Sequence, residues 1–240
     1  MTGLLASVCD AGEAGLILEG GADIIDLKDP SVGALGALDI GVMTDIVALV
    51  NGRVPVSATI GDIPFTAAAI RPRIEAVAAT GVDFVKVGVF GDVRDTGVLE
   101  MLRALSQAGL RMVLVFFAED VPGHTDFTAL SRHGIHGVML DTRDKSSGSL
   151  RSKLSHRQLE SFVSGARETG LLCGLAGSLC ADDIPALLPL RPDYLGFRSA
   201  LCRGSNREGE VDAAAAGAVR LMLSAPVPGE QLNPGIMQWR

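Results

Sequence analysis

Three lysines and two aspartates lie in short apolar runs of this chain. Asp26 and Lys28 stand in ADIIDLKDP (22 to 30), Lys86 in VDFVKVGVF (82 to 90), and Asp141 and Lys145 in MLDTRDK (139 to 145). In an extended strand, residues two apart share a face. Asp26 and Lys28 therefore project together, opposite Ile25 and Leu27. Val85 and Val87 flank Lys86 in the same way, and Val138 and Leu140 alternate with Met139 and Asp141. If the apolar neighbours pack against helices, the charged residues point into whatever the sheet encloses. Such burial is costly unless the charges are paired or used. Desolvation and neighbouring cations both favour a neutral amine, and a neutral lysine adds to a carbonyl to give a Schiff base. Carboxylates and further lysines can move the protons. The expected chemistry is that of carbonyl substrates.

A second group is GLAGSL (174 to 179) with GFRSALCRGSNREG (196 to 209). Small residues let backbone N–H groups approach an anion. Gly177, Ser178, Arg198 and Ser199 are the phosphate-binding candidates, with Arg203 and Arg207 in reserve. A phosphorylated carbonyl compound is then the natural substrate class.

The elements that must position these residues follow from periodicity. Strands are expected near 4–8, 23–28, 54–60, 83–89, 110–117, 137–141, 171–176 and 193–198. Helices are expected near 10–20, 40–50, 67–79, 96–108, 125–133, 156–169, 183–188 and 211–223. Asp10 with Glu13, and Ser155 with Gln158, have capping-box spacing. The strands read as near-continuous apolar runs, as strands covered on both faces do. Eight βα units define an α/β chain and predict a (β/α)8 TIM barrel, in which the site lies at the C-terminal strand ends. Ser7, Ser57, Thr59 and Asp62 would join the lysines there. A doubly wound open sheet is the rival, but no GxGxxG follows the first strand and the polar residues come from too many strand ends.

The 240 residues are 48% hydrophobic with formal net charge −7, which fits a single barrel domain over 1–225 followed by a Pro/Gly-rich tail over 226–240. The acidity and the lack of a basic block argue against nucleic acid as a partner. No apolar run reaches the roughly 20 residues that span a bilayer, and the start lacks a basic, apolar leader, so no membrane association and a cytoplasmic location are expected. Cys9, Cys173, Cys180 and Cys202 lack CxxC spacing and read as reduced thiols. His124, His133, His136 and His156 have no ligand spacing to carboxylates, so no metal is expected. A homo-oligomer is expected, with the Met237–Arg240 end a candidate docking element.

The segments GGADIIDLKDP, SATIGD (57 to 62), VDFVKVGVF, MLDTRDK, LAGSL (175 to 179) and GFRSALCRG together resemble the (5-formylfuran-3-yl)methyl phosphate synthase family. This family is also called 4-(hydroxymethyl)-2-furancarboxaldehyde-phosphate synthase and belongs to methanofuran and methylofuran biosynthesis. The resemblance runs from Leu4 to about Leu223. It implies a cofactor-free lyase that condenses two molecules of glyceraldehyde 3-phosphate into the furan phosphate, losing phosphate and water. By matching motifs it makes Lys28 the Schiff-base lysine and Lys86 the proton-transfer lysine, with Asp26, Asp141 and Lys145 as further active-site residues. The Ser-rich loop after Lys145 and the tail after Ala225 depart from the family pattern. Two other readings remain open: a Schiff-base aldolase acting on another phosphorylated sugar, and a non-catalytic phosphate-ligand sensor.

Overall fold

The computed structural model describes residues 1–120, 125–145 and 147–225. Eight parallel strands close into a barrel in sequence order: β1 (Gly3–Val8), β2 (Ile24–Leu27), β3 (Val56–Thr59), β4 (Phe84–Gly88), β5 (Met112–Phe117), β6 (Gly137–Asp141), β7 (Leu172–Leu175) and β8 (Tyr194–Phe197). The helices between and after them are α1 (Ala11–Glu19), α2 (Ile40–Val50), α3 (Ala67–Ala78), α4 (Thr96–Gln107), α5 (Phe127–Arg132), α6 (Leu150–Lys153), α7 (His156–Glu168), α8 (Ile184–Leu187) and α9 (Ala213–Leu223). The expected (β/α)8 barrel is therefore the fold. The differences are local. One turn of helix, α6, interrupts the Ser-rich loop. The expected 183–188 helix is a single α-turn flanked by 3-10 turns, because Pro185 and Pro189 each remove a backbone donor. The proposed tail and His124 lie outside the described residues.

Strand parity sorts the core into two layers. Ile25 and Leu27 of β2, Val85 and Val87 of β4, and Val138 and Leu140 of β6 pack in the shell between barrel and helices. Ile24, Phe84 and Met139, on the opposite parity, pack inside with Leu5, Val113, Val115 and Tyr194. Gly174 of β7 falls on the interior parity of Leu172, where a Cβ would collide with the Tyr194 ring. The charged residues share the interior parity but lie toward the strands' C-terminal ends.

One half of the barrel mouth is filled with apolar side chains. The loop after β2 buries Ala34 and Leu35, which pack with Phe90 and Phe117. Asp62 fixes that loop by accepting the N–H groups of Ala34 and Leu35, each at 2.7 Å, and Thr59 donates its hydroxyl to the Gly36 carbonyl at 2.9 Å. Thr59 and Asp62 thus brace a loop and do not line the polar pocket, contrary to the sequence expectation. What remains open is bounded chiefly by β1, β2, β6, β7 and β8. Among the described residues, no helix is long and apolar enough to cross a membrane.

Candidate active site

Two buried carboxylates organise the pocket. The first is Asp26. Register sets Ser7 of β1 beside Asp26, and Asp26 beside Ser57 of β3, so three adjacent strands deliver one polar row. Ser57 Oγ donates to Asp26 at 2.6 Å and Ser7 Oγ at 2.9 Å. Lys86 reaches across from β4, its Nζ 2.8 Å from the same carboxylate. Asp26 and Lys86 are 1% and 2% exposed. At such burial, an ion pair persists only when its remaining hydrogen-bonding capacity is also met, and the two hydroxyls do this for Asp26.

The second carboxylate is Asp141, which ends β6. It accepts Lys28 Nζ at 3.4 Å and the Thr142 N–H at 2.7 Å. Lys145 Nζ makes a closer contact to Asp141 and a longer one, 3.4 Å, to Thr142 Oγ1. Burial pushes the Asp141 carboxyl up, but the charges of Lys145 and Lys28, with the hydrogen bonds from Lys145 and Thr142, hold it well below the usual carboxylate range. The Lys145 ammonium is pulled down to about 8, chiefly by burial. Lys28 and Arg207 add to the fall, and Asp141 opposes it. Lys145 is thus available both as acid and as base near neutral pH.

The loop carrying Lys145 is tied to the turn after β7. Ser178 donates its hydroxyl to the Lys145 carbonyl at 3.2 Å, and the Leu150 N–H meets the Gly177 carbonyl at 2.9 Å. Gly177 has φ +104° and packs so closely that a Cβ would lie 2.8 Å from the Thr142 nitrogen. Ser178 follows in the left-handed region at φ +49°. Gly177, Ser178 and Ser199 line the pocket, and their N–H groups donate to no described residue. Consecutive backbone amides in such a turn suit an anion.

Arg198 requires a correction. It was expected to bind phosphate, but its guanidinium is fully engaged. Nη1 and Nη2 clasp Glu13 at 2.5 and 2.9 Å, and further donations reach the carbonyls of Arg207, Ser7 and Gly209. A guanidinium has five N–H donors, and none is left for a ligand. Glu13 also departs from expectation. Asp10 caps the Glu13 N–H of α1 as its half of a capping box. The Glu13 carboxylate, however, accepts the Cys9 N–H at 2.8 Å and pairs with Arg198 in place of closing the box. Arg203 is exposed, pairs with Glu210 at 3.7 Å and lies away from the pocket, whereas Arg207 lines it.

The described histidines lie elsewhere. His133 meets the Ala129 carbonyl on α5 and Glu100. His136 packs on the Phe84 ring before β6, and His156 starts α7. Cys9, Asp10 and Glu13 come close enough to share an ion, yet Glu13 is committed to Arg198. Burial and then Glu13 itself push the Cys9 thiol up to about 11, which disfavours the thiolate that would bind a metal.

Fold and site together define a (β/α)8 barrel with a lysine–carboxylate cluster at its mouth. The model of the 4-HFC-P synthase family matches residues 4–220, and the chain belongs to that family. A Methylorubrum extorquens protein provisionally named (5-formylfuran-3-yl)methyl phosphate synthase is 46% identical over 224 residues, covering 93% of this chain and 92% of its own. The (5-formylfuran-3-yl)methyl phosphate synthase of Methanopyrus kandleri is 35% identical over 222 residues, covering 87% and 93%. Among solved structures, phosphoribosyl anthranilate isomerase from Thermus thermophilus superposes with a TM-score of 0.64 at 15% identity, over 93% of this chain and 98% of that one. That likeness concerns the fold alone.

Proposed function

We propose that the protein condenses two molecules of glyceraldehyde 3-phosphate into (5-formylfuran-3-yl)methyl phosphate, with loss of phosphate and water, as a cytoplasmic, cofactor-free lyase of methanofuran or methylofuran biosynthesis. The observation that carries this reading is the arrangement of Lys28. Its amine faces Asp141 and Lys145 in one pocket that also holds the Asp26–Lys86 pair and the anion-suited turn at Gly177 and Ser178.

The Lys28 amine adds to the aldehyde carbon, and the resulting carbinolamine loses water to give an iminium ion. Asp141 and Lys145 exchange the protons that this step requires. The iminium acidifies the adjacent C–H, and the Asp26–Lys86 pair receives its proton. The enamine then expels phosphate from its far carbon or attacks the second aldehyde. Dehydration and ring closure follow, water hydrolyses the Lys28 imine to release the aldehyde product and restore the free amine, and aromatisation of the furan draws the sequence forward.

The test is to incubate the full chain with glyceraldehyde 3-phosphate and follow both the conjugated furaldehyde and inorganic phosphate. The reading expects the two to appear together and both to vanish in Lys28→Ala. Carbon–carbon bond formation without phosphate release would instead identify a simple aldolase.

A further inference from the structure

Five cationic side chains line the pocket, and four of them have acidic partners. Lys28 and Lys145 share Asp141, Lys86 pairs with Asp26, and Arg198 pairs with Glu13. Arg207 is half-buried at the same mouth and meets no acid among the described residues. The surplus of positive charge suits a phosphate, and a planar guanidinium is well matched to phosphate oxygens.

Arg207 rides on an excursion of the chain after β8. The excursion is closed at its base, where Cys202 bridges Val211 and the Arg203 N–H meets the Glu210 carbonyl at 3.0 Å. Arg198 grips it from within the barrel, through Nε to the Arg207 carbonyl at 2.8 Å and Nη2 to the Gly209 carbonyl at 3.1 Å. Arg198 is in turn clasped by Glu13, which is anchored to the start of α1 through the Cys9 N–H. A connected line of contacts therefore runs from α1 through Glu13 and Arg198 to the backbone that presents Arg207.

We propose that Arg207 contacts the substrate phosphate, and that Arg198, held by Glu13, is the positioning residue that keeps the Arg207 loop at the mouth. This assigns to Arg207 the role the sequence suggested for Arg198. It rests on the reading of the site as one for phosphorylated aldehydes. The effect of Arg207 on Lys145 also couples the anion site to the proton-transfer group.

The experiment uses the full chain and three readouts: calorimetric titration with inorganic phosphate, steady-state turnover of glyceraldehyde 3-phosphate, and borohydride trapping with glyceraldehyde or its 3-phosphate. Arg207→Met should weaken phosphate binding roughly tenfold or more and lower the preference for the phosphorylated aldehyde in trapping by a similar factor. Arg207→Lys should recover part of both. Arg198→Lys keeps the charge but loses the fork, and should raise KM far more than it lowers kcat. Should Arg198→Lys fail to fold, Glu13→Gln decides the same point, because it removes the charge from the clasp while keeping its size. Phosphate binding within twofold of wild type in Arg207→Met would overturn the contact. An unchanged KM in both Arg198→Lys and Glu13→Gln would overturn the positioning role. If phosphate binding depends on Arg207 but no aldehyde is ever trapped, the furan-synthase reading fails and this inference stands.

Discussion

Lys28 and Asp141 face each other at 3.4 Å across the barrel mouth, although 113 positions separate them in the chain. This is the longest of the lysine–carboxylate contacts in the pocket. Lys86 lies 2.8 Å from Asp26, and Lys145 lies closer still to Asp141. The Asp141 carboxylate is therefore committed mainly to Lys145 and the Thr142 N–H, and Lys28 is the least tightly held of the three amines. An aldehyde that captures Lys28 gives up one long contact. Capture of Lys86 would strip the buried Asp26 carboxylate of the one cation that pairs with it among the described residues.

That difference separates the two lysines experimentally. Lys86→Met leaves the buried Asp26, among the described residues, with the Ser7 and Ser57 hydroxyls as its remaining side-chain partners, which should cost about 3–5 kcal/mol of stability by denaturant unfolding. The variant should lose turnover while the folded fraction still traps an aldehyde on Lys28. Trapping lost together with turnover, in a variant that remains folded, would contradict the division of labour.

Lys145 gives a pH dependence of definite sign. Its ammonium titrates near 8 in the fold against an ordinary value of 10.5. Between those values the unfolded chain binds the extra proton, so the Lys145 contribution to stability rises with pH from about 8 to about 10.5. Urea midpoints measured across that window should climb more steeply in wild type than in Lys145→Met. Parallel slopes would contradict the assignment.

Asp141 acts at the other end of the scale. Its carboxyl lies below its ordinary value of 3.8 in the fold, so the stability it contributes is fully present above that value and is lost as pH falls below it. Asp141→Asn should be markedly less stable than wild type at pH 7, where Lys28 and Lys145 lose their shared counterion. The gap should narrow as pH drops below about 3.8. A gap independent of pH would show that the carboxylate charge is not what matters.

Gly177 is constrained by both conformation and space. Gly177→Ala must hold φ near +104° and place a methyl 2.8 Å from the Thr142 nitrogen. The cost should be about 1–3 kcal/mol. Because the turn contacts both the Lys145 loop and the proposed anion site, KM for glyceraldehyde 3-phosphate should rise as well. An unchanged KM would remove the turn from the anion site.

Strand parity was legible from the sequence because it depends only on the alternation of side chains. The period of two placed Asp26, Lys86 and Asp141 inside, and the structure leaves them there. Three things were not legible. The first was the partner of Arg198. Glu13 has ordinary capping-box spacing, and nothing local shows that its carboxylate turns toward a residue 185 positions away. The second was the fate of Thr59 and Asp62, which depends on how the loop after β2 folds back over the mouth. That path is set by burial of Leu35 against Phe90 and Phe117, a contact between distant segments. The third was the ground for proposing Arg207 over Arg198 at the phosphate. It follows from counting counterions in three dimensions, and sequence spacing carries no such count.

The central claim is that Lys28 is the covalent nucleophile. It is tested most directly by reducing the full chain with borohydride in the presence of glyceraldehyde 3-phosphate and mapping the modified peptide. The account predicts a single substrate-dependent adduct on Lys28, absent in Lys28→Ala and present in Lys86→Met. An adduct on Lys86 or Lys145 with Lys28 unmodified would contradict it, as would wild-type turnover in Lys28→Ala.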